Sequence, residues 1–156
     1  MEVYGLTGGI GSGKSAVCDL LEEYGIPVVS ADELARVVVA PGTEGLGEVI
    51  DTFGEEVLGA DGELDRQAMA RIIFADPEAR ARLEAIIHPR VRERFADVLR
   101  VLESAGNSLV IYEIPLLFEK GLESTVAAVI VVAATEAVRV DRVVARSKIS
   151  PEEVRQ

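Results

Sequence analysis

Residues 8–15 read Gly-Gly-Ile-Gly-Ser-Gly-Lys-Ser and satisfy the phosphate-loop pattern G-x-x-x-x-G-K-[ST]. The apolar stretch 1–7 before them predicts a strand, and residues 16–24 after them predict an amphipathic helix. In this context glycines let backbone N–H groups converge on a phosphate, and the helix adds its positive N-terminal end. The chain is therefore predicted to open an α/β fold with a site for nucleotide phosphates.

Two residues of the loop have specific predicted roles in nucleotide binding. Lys14 supplies a point charge for the outer phosphates, and the Ser15 hydroxyl is a predicted magnesium ligand. A dinucleotide-binding pattern starting at Gly9 fails, because its last glycine position is occupied by Lys14. The residues predicted to contact the nucleotide are Gly9, Ile10, Gly11, Ser12, Gly13, Lys14, Ser15 and Ala16.

Composition excludes several other classes of protein. The net charge of −11 disfavours a general nucleic-acid binder, which usually carries a basic face. The single cysteine, Cys18, rules out an internal disulfide, fits a reducing compartment and is expected to be a small buried side chain. No apolar run reaches the length of a membrane span, and no signal peptide precedes the first strand. We therefore expect a cytoplasmic protein that binds neither nucleic acid nor membrane, with an aliphatic core.

Apolar runs at 26–30, 108–114 and 127–133 predict three further strands, of which 108–114 reads as central and parallel. A mostly helical segment lies between the second and third strands. Within it, Pro89 is expected to end one helix at His88 and to open another. A last helix is predicted to start at Ser150. The order predicts a parallel sheet flanked by helices, with a helical insert.

Acidic residues follow two of the predicted strands, where ligands of open parallel sheets bind. Asp32 follows the second strand, and three roles remain open: accepting a proton from an attacking hydroxyl, capping the next helix, or binding a ribose. Glu113 ends the third strand and is either a magnesium ligand or a solvated strand-end acid.

Two further features have both a functional and a structural interpretation. Arg139, Arg142 and Arg146 recur at helical spacing, so they could bind a transferring phosphoryl group or form a solvated basic face. His88, the only histidine, could contact a substrate or serve the fold. One histidine and one cysteine do not make a zinc site.

Four segments together resemble the dephospho-CoA kinase family: 7–15, Ser30-Ala-Asp32, His88-Pro89 and Ile114-Pro-Leu-Leu-Phe-Glu119. The resemblance covers essentially the whole chain. It implies a P-loop NTPase-type parallel sheet flanked by helices, with an inserted helical substrate domain and a partial lid. The implied divisions are 1–31 and 103–138 for the nucleotide-binding core, 32–102 for the substrate-binding insert and 139–156 for the start of the lid.

The same resemblance implies an activity: ATP, with Mg²⁺, phosphorylates the ribose 3′-hydroxyl of dephospho-CoA. Asp32 then corresponds to the family's base, and Arg139 and Arg142 to lid arginines that approach the phosphates. Ser15 and Glu113 would hold the metal. The implied substrate contacts are Asp32, His88, Leu117, Phe118 and Glu119. ATP and dephospho-CoA are the expected partners of a monomer or weak homo-oligomer.

The chain departs from the family pattern at Glu113, where Asp is common, and at Ser147-Lys148, where Asp-Gly is usual. Family members are also longer, so we expect a second lid helix, a last strand and a final helix beyond residue 156 in the native protein. Two alternatives stay open: a nucleoside monophosphate kinase, and a catalytically silent nucleotide-binding module.

Overall fold

The computed structural model describes residues 1–147 and contains the α/β order that the sequence predicts. The strands are β1 (Glu2–Thr7), β2 (Val28–Ser30), β3 (Leu109–Glu113) and β4 (Ala128–Val131). The helices are α1 (Lys14–Glu23), α2 (Ala31–Val37), α3 (Glu44–Phe53), α4 (Arg66–Ala75), α5 (Pro77–Ser104) and α6 (Glu136–Ser147). The helix predicted from Ser150 lies outside the described residues.

The four strands form one sheet in the order β2-β3-β1-β4, and every pair is parallel. The prediction that 108–114 is a central parallel strand is confirmed, because β3 pairs with both β1 and β2. The carboxyl ends are aligned: Glu113 is in register with Leu6 of β1 and with Ser30 of β2. This edge of the sheet therefore carries both the phosphate loop and the acid that ends β3.

The chain divides into two compact units, Met1–Ala31 with Leu102–Gln156, and Asp32–Val101. The first contains the sheet, whose core around Leu6, Cys18 and Ile111 lies under α1. The second is helical, and its core includes Val49, Val57 and Met69. Both clusters are mainly aliphatic, as the low aromatic content leads one to expect.

The predicted break at Pro89 is wrong, because α5 runs unbroken from Pro77 to Ser104. Proline removes one helical N–H, a loss that usually kinks or ends a helix. Here Leu83 and Ile86 on one side and Val91 on the other pack into the core of the second unit, which holds both halves in line. The Arg90 guanidinium also donates to the Ile86 carbonyl at 2.9 Å. Tertiary packing therefore outweighs the local preference.

Candidate phosphate-binding site

The phosphate loop, residues 8–15, leaves β1 and turns directly into α1. Gly11 and Gly13 have φ of 75° and 102°, in the left-handed region that only glycine enters at low cost. The Ser12 N–H donates to the Gly9 carbonyl at 3.1 Å and closes a tight turn. Helix α1 begins at Lys14, two residues earlier than predicted, so Lys14, Ser15 and Ala16 all lie in its first turn.

Within the described part of the chain, no side chain caps α1. Its first N–H groups are therefore available to a ligand, and they add to the positive end of the helix dipole. The Lys14 ammonium donates to the Gly8 carbonyl at 2.8 Å, which holds it across the loop. This arrangement of free N–H donors and a cation can bind an anionic phosphate group.

Gly8 is required by the close approach of neighbouring backbone. A Cβ at this position would lie 2.3 Å from the Val132 carbonyl oxygen and 2.8 Å from the Ser12 hydroxyl. The Val132 N–H donates to the Thr7 carbonyl at 2.8 Å, so the chain after β4 is tied to the start of the loop. The loop is thus packed tightly against the sheet on this side.

The Ser12 side chain is buried, and the backbone N–H of Ser12 donates to the Gly9 carbonyl. The predicted contact between Ser12 and a nucleotide therefore has no exposed donor in this conformation. The predicted contacts at Gly9, Ile10, Ser15 and Ala16 involve exposed residues and stay predictions.

Arg139 and Arg142 reach the loop from α6. The Arg139 Nε donates to the Ile10 carbonyl at 3.0 Å. One guanidinium nitrogen of Arg142, Nη1, lies 3.3 Å from the Gly11 carbonyl oxygen and 3.0 Å from that of Ser12. Both arginines are exposed and also donate to carbonyls of the loop, so their predicted role toward a phosphoryl group stays a prediction. The side chain of Arg146 lies outside the described part of α6.

Ser15 and Glu113 are the predicted metal ligands. Ser15 is exposed in the first turn of α1, and Glu113 is half-buried at the end of β3. Among residues 1–147, no three His, Cys, Asp or Glu side chains cluster closely enough to hold a metal alone. A hydroxyl and a carboxylate fit Mg²⁺, which prefers hard oxygen ligands and takes several from water and substrate phosphates.

Cys18 lies one turn into α1, behind the loop, and is buried as expected. Burial, assisted by the charges of Glu113 and Asp19, raises the pKa of its thiol, and Lys14 opposes that shift. Cys18 thus remains a neutral core residue.

Asp32 does not end a strand, since β2 stops at Ser30 and α2 begins at Ala31. Asp32 is exposed and occupies the first turn of α2. The capping hypothesis is wrong in its simple form, because an N-cap residue precedes the helix instead of lying inside it. Its predicted roles toward a hydroxyl or a ribose stay predictions.

The segment Pro115-Leu-Leu-Phe-Glu119 follows β3, and its residues differ sharply in exposure. Leu117 is fully buried, and its Cδ1 lies 2.7 Å from where a Cβ on Gly5 would be, so its side chain belongs to the core of the sheet. In this structure the Leu117 side chain offers no exposed surface to a substrate, and its predicted substrate contact stays a prediction. Phe118 and Glu119 are exposed and remain candidates. Leu116 has a φ of 56°, a strained value for a leucine.

His88 lies within α5 and is exposed. It therefore does not serve the core of the second unit, and its predicted substrate contact stays a prediction. That unit also holds an open cleft of about 530 Å³, which is lined in part by Thr43, Pro89 and Arg90. His88 is not part of its lining. Across residues 1–147, no helix combines the length and apolar character needed to cross a bilayer.

Comparison with protein families gives a match over nearly the whole chain. The family model described as dephospho-CoA kinase matches residues 2–156. The dephospho-CoA kinase of Listeria monocytogenes is 47% identical over 149 residues, which are 96% of this chain and 74% of that protein. The dephospho-CoA kinase of Anaeromyxobacter dehalogenans is 51% identical over 146 residues, or 94% and 69% of the two chains.

Two solved structures share the fold. The crystal structure of TT1252 from Thermus thermophilus has a TM-score of 0.86 and 46% identity, over 98% of this chain and 76% of that one. The dephospho-CoA kinase from Campylobacter jejuni has a TM-score of 0.68 and 26% identity, over 99% and 78%. The chain thus spans 69–78% of the length of these four proteins.

Proposed function

Because the chain belongs to the dephospho-CoA kinase family, we propose that it transfers the γ-phosphoryl group of ATP to the ribose 3′-hydroxyl of dephospho-CoA. The products are coenzyme A and ADP. The observation that carries this proposal is the phosphate loop at the carboxyl end of β1, in a chain whose residues 2–156 match the family.

The loop supplies the electrostatic part of the reaction. Phosphoryl transfer passes through a loose transition state whose charge spreads over the transferring oxygens, so catalysis depends mainly on positioning and charge stabilisation. The first N–H groups of α1 and the Lys14 ammonium are fixed donors for the phosphates of ATP. Lys14 now donates to Gly8 and would turn from this carbonyl to the outer phosphates when ATP binds.

When bound, Mg²⁺ would supply positive charge that offsets the negative charge of the phosphates. Ser15 and Glu113 are the residues of this chain that would hold it, because they offer hard oxygen ligands at the carboxyl edge of the sheet. Glu113 stands where the family commonly has Asp, so the side chain that carries this carboxylate is one carbon longer. Glu113 could reach the metal directly or through a water molecule.

Asp32 is the proposed base. The attacking hydroxyl must lose its proton as the new O–P bond forms, and a carboxylate can accept that proton. Asp32 follows the end of β2 by two residues, and Ser30 there is in register with Glu113. The exposed His88, Phe118 and Glu119 are the remaining proposed contacts for the acceptor. The cytoplasmic location and the monomeric or weakly associated state stay predictions.

A direct assay tests this function. ATP consumption is measured with dephospho-CoA, with AMP and without acceptor, and the product is identified by mass spectrometry. We expect ATP to be consumed only when dephospho-CoA is the acceptor. Turnover with AMP would instead identify a nucleoside monophosphate kinase, and nucleotide binding without turnover a silent module.

The Lys14→Ala variant links the activity to this loop. Removing one such fixed donor lowers kcat by about 10²–10³-fold in comparable sites. Lys120→Ala is the matched control, because Lys120 is an exposed lysine of the same unit and lies outside the loop. Unchanged turnover in Lys14→Ala would contradict the assignment of the site.

A further inference from the structure

Three consecutive carbonyls of the phosphate loop accept hydrogen bonds from α6. Arg139 donates to Ile10 at 3.0 Å, and Arg142 lies 3.3 Å from Gly11 and 3.0 Å from Ser12. Charged donors make stronger hydrogen bonds than neutral ones. The two arginines thus hold three backbone oxygens of the loop with charged donors.

These carbonyls decide where the loop N–H groups point. In a trans peptide unit the carbonyl and the N–H of the next residue point in opposite directions. Fixing the Ile10 carbonyl therefore fixes the Gly11 N–H, and fixing the Ser12 carbonyl fixes the Gly13 N–H. Both N–H groups therefore point in the direction opposite to the carbonyl oxygens that the arginines hold.

The loop needs such restraint because its glycines are permissive. Gly11 and Gly13 have φ values of 75° and 102°, and glycine reaches alternative backbone conformations at little cost. Converging N–H groups also repel one another when no anion lies between them. A peptide unit that flips would present a carbonyl oxygen to the phosphate in place of an N–H.

Helix α6 is anchored where it can act on the loop. Val140 and Val143 are both buried, and Val143 Cγ2 lies 3.0 Å from where a Cβ on Gly11 would be. The Arg139 carbonyl oxygen is only 2.6 Å from that same point. The α6 backbone and its side chains therefore contact the loop together, so the arginines work from a fixed support.

We propose that Arg139 and Arg142 are positioning residues, which hold the peptide units of the phosphate loop in the orientation that binds nucleotide phosphates. The proposal builds on the proposed function but assigns the arginines a different task from the one implied by resemblance. There they act on the transferring phosphoryl group. Here they act on the loop itself, before any phosphoryl group is transferred.

ADP distinguishes the two roles, because it fills the loop but has no phosphoryl group to transfer. Its Kd, with Mg²⁺, is measured by calorimetry for wild type, Arg142→Ala, Arg142→Lys and Arg139→Ala. Loss of a charged hydrogen bond corresponds to about tenfold or more in affinity. We expect the Kd to rise about tenfold in Arg142→Ala and to recover partly in Arg142→Lys, which keeps one charged donor.

Arg80→Ala is the control for the loss of one positive charge. Arg80 pairs with Glu84 on the surface of α5, in the other unit. We expect its Kd for ADP to stay at the wild-type value. An equal rise in this control would attribute the effect to net charge and overturn the proposal.

Amide spectra of glycine-labelled protein without nucleotide observe the loop directly. The chain has 14 glycines, and Gly106 and Gly121 serve as internal references outside the loop. In Arg142→Ala we expect the Gly13 signal to shift or broaden while the two references keep their positions. Adding ADP at saturation restores the Gly13 signal, because the bound phosphate takes over the orientation of the N–H.

The outcomes separate this proposal from the proposed function. An unchanged Kd for ADP with a lowered kcat would overturn the positioning role. It would indicate instead that the arginines act on the transferring phosphoryl group. An unmoved Gly13 signal would also overturn it, and this measurement stands even where a variant is less stable. A raised Kd and a shifted Gly13 signal support the positioning role even if dephospho-CoA is not phosphorylated, which would refute only the proposed function.

Discussion

Replacing Gly8 by alanine tests the packing that shapes the phosphate loop. The new Cβ would lie 2.3 Å from the Val132 carbonyl oxygen and 3.2 Å from its carbonyl carbon. These are backbone atoms of a residue whose N–H donates to the Thr7 carbonyl, so they cannot rotate away as a flexible side chain would. The loop or the chain after β4 must shift by a substantial part of an ångström.

Overpacking of this kind costs about 1–3 kcal/mol of unfolding free energy. In a chain of this size that corresponds to a fall in Tm of roughly 2–12 °C. The displacement also moves the N–H groups of the loop, so ADP affinity should fall as well. Thermal unfolding followed by circular dichroism measures the first effect, and calorimetry with ADP measures the second.

Gly47→Ala is the matched control with the opposite expected sign. Gly47 lies inside α3, and nothing lies within 4 Å of its Cβ position. Alanine there should stabilise the helix by about 0.5–1 kcal/mol, because it loses less backbone entropy on folding than glycine. A Gly8→Ala variant that matches wild type in both Tm and ADP affinity would refute the reasoning about close approach.

Four further perturbations have defined outcomes. Asp32→Asn should lower kcat by about 10²–10⁴-fold while leaving ADP affinity and Tm near wild type, and full activity would exclude the base role. Leu117→Ala should lower the free energy of unfolding, measured with denaturant, by about 2–5 kcal/mol, because the Leu117 side chain is fully buried. A change near zero would contradict this burial. Burial raises the pKa of Cys18, so iodoacetamide should modify the folded protein more slowly than the unfolded one, and equal rates would contradict this. Because the pKa of the thiol is higher in the folded than in the unfolded protein, the contribution of Cys18 to stability should be fully present below its ordinary pKa and be lost as pH rises through the raised pKa of the folded state.

Local sequence patterns were sufficient for the elements and for the kind of site. The strand before Gly8, the helix after it and the parallel pairing of the strands follow from hydrophobic runs and loop glycines, and the structure confirms them. Such patterns involve residues close together along the chain, so they can be read without knowing the packing. The family could also be recognised, because its motifs are short and contiguous.

Sequence patterns were insufficient where contacts between residues far apart in the chain determine the structure. Pro89 carries a strong local signal to end a helix, yet core contacts on both sides of it keep α5 continuous. Leu117 belongs to a motif typical of the family, but its burial beside Gly5 shows only when β1 and the segment after β3 are brought together.

Arg139 and Arg142 show the same limit in the site itself. Their helical spacing placed them on one face of α6, but spacing cannot say what that face contacts. More than 120 residues of chain separate them from the loop, and no local signal could predict hydrogen bonds to its carbonyls. The sequence by itself determined which side chains of α6 carry charge. Only the tertiary structure decided that these guanidinium groups donate to backbone oxygens of the loop, because the close packing of α6 against the loop fixes their position.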